Sequence, residues 1–332
     1  MITSDFKDYF TSITSEEQAK IIDTLLSLSN KTISLSDNID SQQINCPHCK
    51  SLKIRANGKL KGVQRYLCNS CSKNFSETTG KFWYCIKKKD AISKYLYCLL
   101  SGYSIRKSAK ETGISIQTSF DWRHKLLSSF SSVEVAEFEG IVESDDLVFP
   151  YSEKGSKNLD RPAKKRGKSN SKRGMGDDKV SVIATCDRSG NKDFKVVSKG
   201  RISKKDIDKA LEGKLDKTVI LCTDSHRSYS AFAKSQDVDH RKFNASKGQK
   251  AVNKVYHVQN VNNMDSRLRK FMDPFNGVAT KYLQNYLNWF LVLEKIKNST
   301  NRVKTLTAIA FASNSVWWEY KDIALNNMFI RT

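Results

Sequence analysis

Two tight cysteine pairs constrain this chain more than any other feature. Cys46-Pro47-His48-Cys49 and Cys68-Asn69-Ser70-Cys71 are C-x2-C knuckles with 18 residues between them. Each knuckle holds two thiolates on one side of a tight turn, and two such turns complete a tetrahedron around Zn2+. Leu52, Ile54, Val63 and Tyr66 suit short strands, with a turn at Gly58 and Phe75 as an apolar cap. The expectation is a zinc ribbon over residues 45–80, its ion held by Cys46, Cys49, Cys68 and Cys71. Four thiolates close the coordination shell, which makes the site structural. His48, inside its knuckle, reads as a bystander. The remaining cysteines (Cys85, Cys98, Cys186 and Cys222) are scattered, and a disulfide framework does not suit a long chain without a secretion signal.

The charge balance points to a polyanion. Fifty-seven basic residues oppose 35 acidic ones, a net charge of +22, and such a surplus binds nucleic acid by releasing its counterions. The basic residues run through the whole chain, which favours nucleic acid over a membrane surface. No run of 18 apolar residues is present to span a bilayer. The N-terminus lacks the basic-then-apolar order of a signal peptide, so a cytoplasmic location is expected. The composition shifts most sharply at 152–178, with nine basic and two acidic residues between Glu153 and Arg173. This reads as a mobile basic loop in which Lys164, Lys165, Arg166, Lys168, Lys172 and Arg173 grip phosphates.

Periodicity divides the rest. Residues 1–44 read as a helical lead-in, with Ser15-Glu16-Glu17-Gln18 as a capping box, followed by a polar linker. Within 88–130, a helix from Ser104, a turn at Gly113-Ile114-Ser115 and a second helix from Ile116 form a helix-turn-helix. Gln117, Thr118, Ser119 and Arg123 would then meet base edges or phosphates in the major groove. Residues 179–200 alternate as a hairpin. Then follow a helix (203–212), a buried strand (218–223), a helix (226–235), an extended segment (238–243) and a long helix from about 256 to 272.

Two acidic motifs carry the chemistry. Glu143-Ser144-Asp145-Asp146 follows the apolar Ile141-Val142, and Asp224 ends the strand Val219-Ile220-Leu221-Cys222-Thr223. Both are expected at the carboxyl ends of strands, where converging carboxylates hold hard cations such as Mg2+ or Mn2+. Alternation should turn Asp145 and Asp146 to opposite faces and place Glu143 beside Asp145, to tune it or help hold metal.

These motifs, with His257-Val258-Gln259-Asn260-Val261-Asn262, Ser266-Arg267-Leu268-Arg269 and Phe275-Asn276-Gly277-Val278-Ala279-Thr280-Lys281-Tyr282-Leu283, resemble the ISXO-like insertion-sequence transposases over about 45–295. The resemblance implies a bacterial, nucleoid-associated protein. Its α+β multidomain fold would have N-terminal helices, a zinc ribbon, a helix-turn-helix, an RNase H-like catalytic domain with a mixed sheet at 138–298, and a helical tail at 299–332. The resemblance also implies a homodimer or larger assembly that binds the element's terminal inverted repeats and a target DNA. Water would attack the phosphodiester at the element end, and the freed 3′-hydroxyl would attack the target. Asp145 and Asp224 match the family's first two acidic positions. Many relatives carry glutamate at the third, where motif register puts Asn262, with 37 residues between it and Asp224. A branch of the family is similar in using asparagine, a neutral ligand. Asp265, one helical turn on, is the rival, and His257 is an auxiliary candidate for a phosphate contact or a structural role. The other class of reading is a regulator that binds DNA without chemistry.

Overall fold

The computed structural model describes residues 44–60, 62–84, 86–132, 137–156, 178–243, 251–252 and 255–312, with isolated positions 12, 14, 159, 162 and 176. The lead-in helices, the phosphate-gripping residues of the basic loop and the last twenty residues expected in the tail lie outside the described residues. The chain divides into two compact units, 1–77 and 78–332.

The described part of the first unit is a three-stranded antiparallel meander of β1 (Ile54–Leu60), β2 (Val63–Cys68) and β3 (Asn74–Ser76). Its apolar interior is small. Cys46, Cys68 and Phe75 are buried, with Ile54, Tyr66 and Cys71 packed against them.

The second unit begins with three helices, α1 (Ala91–Leu100), α2 (Ile105–Thr112) and α3 (Ile116–Ser129). Local chemistry sets the α2–α3 corner. Ser104 caps α2 by accepting the Lys107 N–H at 3.2 Å, and Ser115 caps α3 by accepting the Thr118 N–H at 3.0 Å. Between them Gly113 takes φ +63°, a left-handed conformation that ends α2.

The centre is a five-stranded mixed sheet of β4 (Ile141–Pro150), β5 (Lys179–Asp187), β6 (Lys192–Lys199), β7 (Ile220–Asp224) and β8 (Asp239–Phe243), in the order β6-β5-β4-β7-β8. β4, β5 and β6 pair antiparallel, whereas β7 and β8 run parallel to β4. The parallel pairs need crossovers, supplied by α4 (Lys204–Leu211) and α5 (Arg227–Gln236). These helices cover one face, where Val142, Ile183 and Leu221 meet Ile207, Tyr229 and Phe232. A short pair, β9 (Ala251–Val252) and β10 (Tyr256–His257), leads into α6 (Gln259–Met272). α6 and α7 (Leu283–Lys295) cover the other face, where Leu147, Val182, Ala184 and Phe194 meet Val261, Leu268 and Phe290. α1–α3 and α8 (Arg302–Ala312) join this same core through Leu96, Trp122, Leu127 and Leu306. The sheet is therefore buried on both faces, and nearly every residue of β5 is inaccessible.

Candidate active site

The sheet delivers three carboxylates to one place. Ligand oxygens of Asp145, Asp146 and Asp224 lie within 4.8 Å of one another. Asp224 is the last residue of β7, as expected from the sequence. Asp145 is not at a strand end. It is the fifth residue of the ten-residue β4, and it reaches Asp224 because the β4–β7 ladder stops at Ser144↔Thr223. Beyond that point no described strand pairs with β4 on this side. Asp146 can therefore reach round the free edge, and the expectation that alternation would part it from Asp145 fails here. The Asp146 N–H donates to Asp145 Oδ1 at 2.9 Å, and the His226 N–H donates to Asp224 Oδ1 at 3.0 Å. From the opposite face, Ser144 Oγ lies 3.2 Å from both Tyr229 Oη and Thr185 Oγ1, which ties β4 to α5 directly beneath the cluster.

Gathering these charges away from water raises their proton affinity. Burial, reinforced by the charges of Asp146 and Asp224, pushes the Asp145 carboxyl up to about 7. Burial and Asp224 also raise Asp146. A divalent cation would neutralise this repulsion, and carboxylate oxygens suit Mg2+ or Mn2+.

α6 adjoins the cluster from above β4 and β5. Asn262 is exposed on its first turn. Asp265 is buried on its inner face with Val261, Met264 and Leu268. Burial, then the charge of Asp145, pushes Asp265 up to about 7.

Glu143 does not join the carboxylate cluster. It is 1% exposed and turned to the N-terminus of α6, where Oε2 accepts the Asn260 N–H at 2.7 Å and the Val261 N–H at 3.2 Å. Its Oε1 accepts the Asn260 side-chain amide at 2.8 Å and pairs with Arg188 at 2.9 Å. Arg188, in the β5–β6 turn, also donates to the Val255 carbonyl at 3.0 Å. His257 lies in β10, two residues before α6 rather than opening it, with Nδ1 3.3 Å from Glu143. It thus belongs to the Glu143–Arg188 knot. Arg188 escaped the sequence reading, where it is one of several polar turn residues. Only the fold shows it facing a buried carboxylate.

The second helix of the α2–α3 corner divides its proposed DNA contacts. Gln117 is exposed and Thr118 partly so. Ser119 and Arg123 are fully buried, which corrects their assignment to DNA. Ser119 Oγ donates to the Ile105 carbonyl at 2.9 Å. Arg123 donates to the Tyr103 carbonyl at 2.7 Å and Ser108 Oγ at 3.1 Å, and its guanidinium lies 4.9 Å from the centre of the Trp289 ring. The physical reason is that α3 is sandwiched. One side meets α1 and α2, and the other meets α7.

In the first unit the four expected thiols converge, their sulfurs within 4.8 Å of one another. Cys46 and Cys71 sulfurs are 3.6 Å apart and those of Cys49 and Cys68 are 3.5 Å apart. A tetrahedron with Zn–S of ~2.3 Å has edges of about 3.8 Å, so the set fits zinc, whereas a disulfide requires ~2.05 Å. The two knuckles repeat one backbone form. Lys50 and Ser72, each just past its knuckle, take positive φ and donate to the carbonyls of Cys46 and Cys68 at 2.8 and 2.9 Å.

Comparison with known proteins meets this geometry at the sheet. Residues 137–291 match the family model of the ISXO2-like transposase domain. The transposase domain thus spans β4 to α7 and contains all three clustered aspartates, the Glu143–Arg188 knot and both Asn262 and Asp265. Over 271 residues the chain is 26% identical to a protein of Halobacterium salinarum described as an uncharacterized protein in transposable element ISH50, covering 80% of this chain and 90% of the relative. Among solved structures, a pre-cleavage Mos1 transpososome aligns at 13% identity over 66% of this chain and 78% of its own, with a TM-score of 0.24. A Mos1 mariner paired end complex with Mn aligns over the same shares at 11% identity and a TM-score of 0.20. Superpositions this loose carry no structural argument. Among the described residues, no helix is long and apolar enough to cross a membrane.

Proposed function

We propose that this chain is a polynucleotidyl transferase that cuts DNA at the ends of its insertion sequence and joins those ends to target DNA. The observation that carries the reading is the convergence of Asp145, Asp146 and Asp224 at the free edge of β4, inside a transposase domain. The strand order β6-β5-β4-β7-β8, antiparallel then parallel, supports an RNase H-like catalytic domain. Divalent cations, when bound, would activate the attacking oxygen and stabilise the leaving one. Asp145 and Asp224 are the residues to hold them, with Asp146 beside them and Asn262 supplying a neutral oxygen from α6. Glu143, Arg188 and His257 keep α6 in place over β4, so that its donors meet those of the sheet. No side chain is needed as a covalent nucleophile.

The four cysteines constitute a structural zinc ribbon in this reading, and α2–α3 a helix-turn-helix. Exposed Gln117 and half-buried Thr118 would face the element's terminal repeats. The net charge of +22 supports binding to DNA phosphates, and the assembly on two ends requires at least a dimer.

A strand-transfer assay with a pre-cut element end and Mg2+ tests the proposal. Joining should occur with the wild-type chain and fall by about a thousandfold or more in Asp145→Asn and Asp224→Asn, in line with the several kcal/mol assigned to a metal in phosphoryl transfer. Tight DNA binding with no joining, and no difference between these variants and the wild type, would instead favour a regulator.

A further inference from the structure

We propose that Asp265 is an inner ligand of this site and supplies the charge that holds a second divalent cation. The inference rests on the reading of the aspartate cluster as a cation site, and goes beyond it by naming a further carboxylate.

Asp265 is anomalous for a helix residue packed on a sheet. α6 buries Val261, Met264, Leu268 and Met272 on its inner face, and Asp265 is the one charged residue among them. It is only 8% exposed, and its Oδ1 has no hydrogen-bond partner. A buried carboxylate oxygen without a partner is costly, so such an oxygen calls for a counter-charge. Within its own helix, the candidate is Arg269, one turn on, which is exposed. The neighbours on the sheet side have the wrong sign, because the charges of Asp145 and Asp146 both act on Asp265. Among the described residues no donor reaches this oxygen, and the charge of Arg269 that acts on it comes from an exposed side chain.

A cation between β4 and α6 would compensate this oxygen. The cluster of Asp145, Asp146 and Asp224 is held together without Asp265, which suits one ion. Asp145 acts electrostatically on Asp265 in α6 and also clusters with Asp224 of β7, so it would be the ligand shared between a first cation and a second one held with Asp265. Asn262 lies three residues earlier on the helix and is exposed. It offers only a neutral oxygen. Asp265 therefore restores the negative charge that asparagine at the third family position omits.

Binding of Mn2+ to the zinc-loaded full chain, followed by the EPR signal of free Mn2+ and without DNA, tests this independently of activity. The wild-type chain should take up about two Mn2+. Asp265→Asn should keep the first and weaken the second by about tenfold or more, while Asn262→Ala should weaken it less. The isosteric Asp265→Asn should also melt at higher temperature than wild type in metal-free buffer, and gain less from Mn2+, because a buried unpaired charge has been removed. Two intact sites in Asp265→Asn, or loss of the second site in Asn262→Ala alone, would overturn the proposal. A lower melting temperature for metal-free Asp265→Asn would also count against it, since it would mark Asp265 as a structural group. Undiminished uptake in Asp145→Asn is a different result, which would remove the cation reading of the whole cluster.

Discussion

The carboxylate of Glu143 accepts the backbone N–H of Asn260 at 2.7 Å, so a strand residue caps a helix that begins 116 positions later in the chain. An N-terminal helix turn normally finds its acceptor in the residue at the cap. Here that residue is Val258, which has none, and Glu143 supplies the acceptor from the sheet. Its negative charge also sits where the helix dipole favours it. Because Asp145 lies two residues further along the same face of β4, one strand sets both a carboxylate of the cluster and the helix that faces it.

Removal of Glu143 should therefore be felt twice. Glu143→Ala leaves two helix N–H groups and Arg188 without their acceptor, and is expected to lower the stability of the 78–332 unit by about 3 kcal/mol. Glu143→Gln keeps an acceptor oxygen and should cost about 1 kcal/mol. Urea unfolding followed by tryptophan fluorescence measures both. Strand transfer by Glu143→Gln at saturating DNA should need more Mg2+ than wild type, since α6 is less well registered. An unchanged Mg2+ requirement would count against the positioning role.

The pH dependence of stability has a definite sign. Asp145 and Asp265 have carboxyls raised to about 7 by burial, against about 3.9 in an unfolded chain. Between these values the folded state binds more protons than the unfolded state, so stability falls as pH rises from about 4 to about 7. The metal-free protein should melt at lower temperature at pH 8 than at pH 5. Mg2+ should narrow the gap by stabilising the ionised form. A thermal-melt series at fixed ionic strength reads this, and equal Mg2+ stabilisation at both pH values would contradict it.

Zinc removal should act on one unit. Cys46, Cys68 and Phe75 are too small a buried cluster to hold the first meander alone, whereas structural zinc contributes about 10–16 kcal/mol in isolated modules. A thiol-directed chelator is expected to expose residues 44–77 to protease while the 78–332 unit resists. Proteolysis resolved by mass spectrometry would show which peptides appear first.

Arg123 and Gln117, six residues apart on α3, should separate folding from recognition. Arg123→Ala removes a fully buried guanidinium that holds Tyr103 and Ser108, and should cost about 3 kcal/mol of stability. Gln117→Ala should change stability by less than about 0.5 kcal/mol. It should weaken binding to the terminal repeat about tenfold relative to random DNA, the effect of losing a base contact. Competition gel shifts and urea melts of both variants would expose any exchange of these roles.

What the chain's order of residues determined by itself is local. The two knuckles follow from cysteine spacing, the α2–α3 corner from Ser104, Gly113 and Ser115, and the β5–β6 hairpin from alternation around a polar turn. In each case the decisive interaction spans only a few residues or a fixed ligand geometry. Asp224 was legible for the same reason, since an apolar run that stops at an acid marks a strand end. Tertiary structure decided everything that depends on which surface an element turns to its neighbours. A helix pattern could not reveal that α3 is covered on two sides, so Arg123 read as a DNA contact although it is buried against Trp289. Strand alternation could not foresee that the β4–β7 ladder ends at Ser144, which brings Asp146 round to Asp145. Nor could motif register tell that Asn262 is exposed while Asp265 is buried, because a helix's register against a sheet is set by long-range packing and, here, by Glu143.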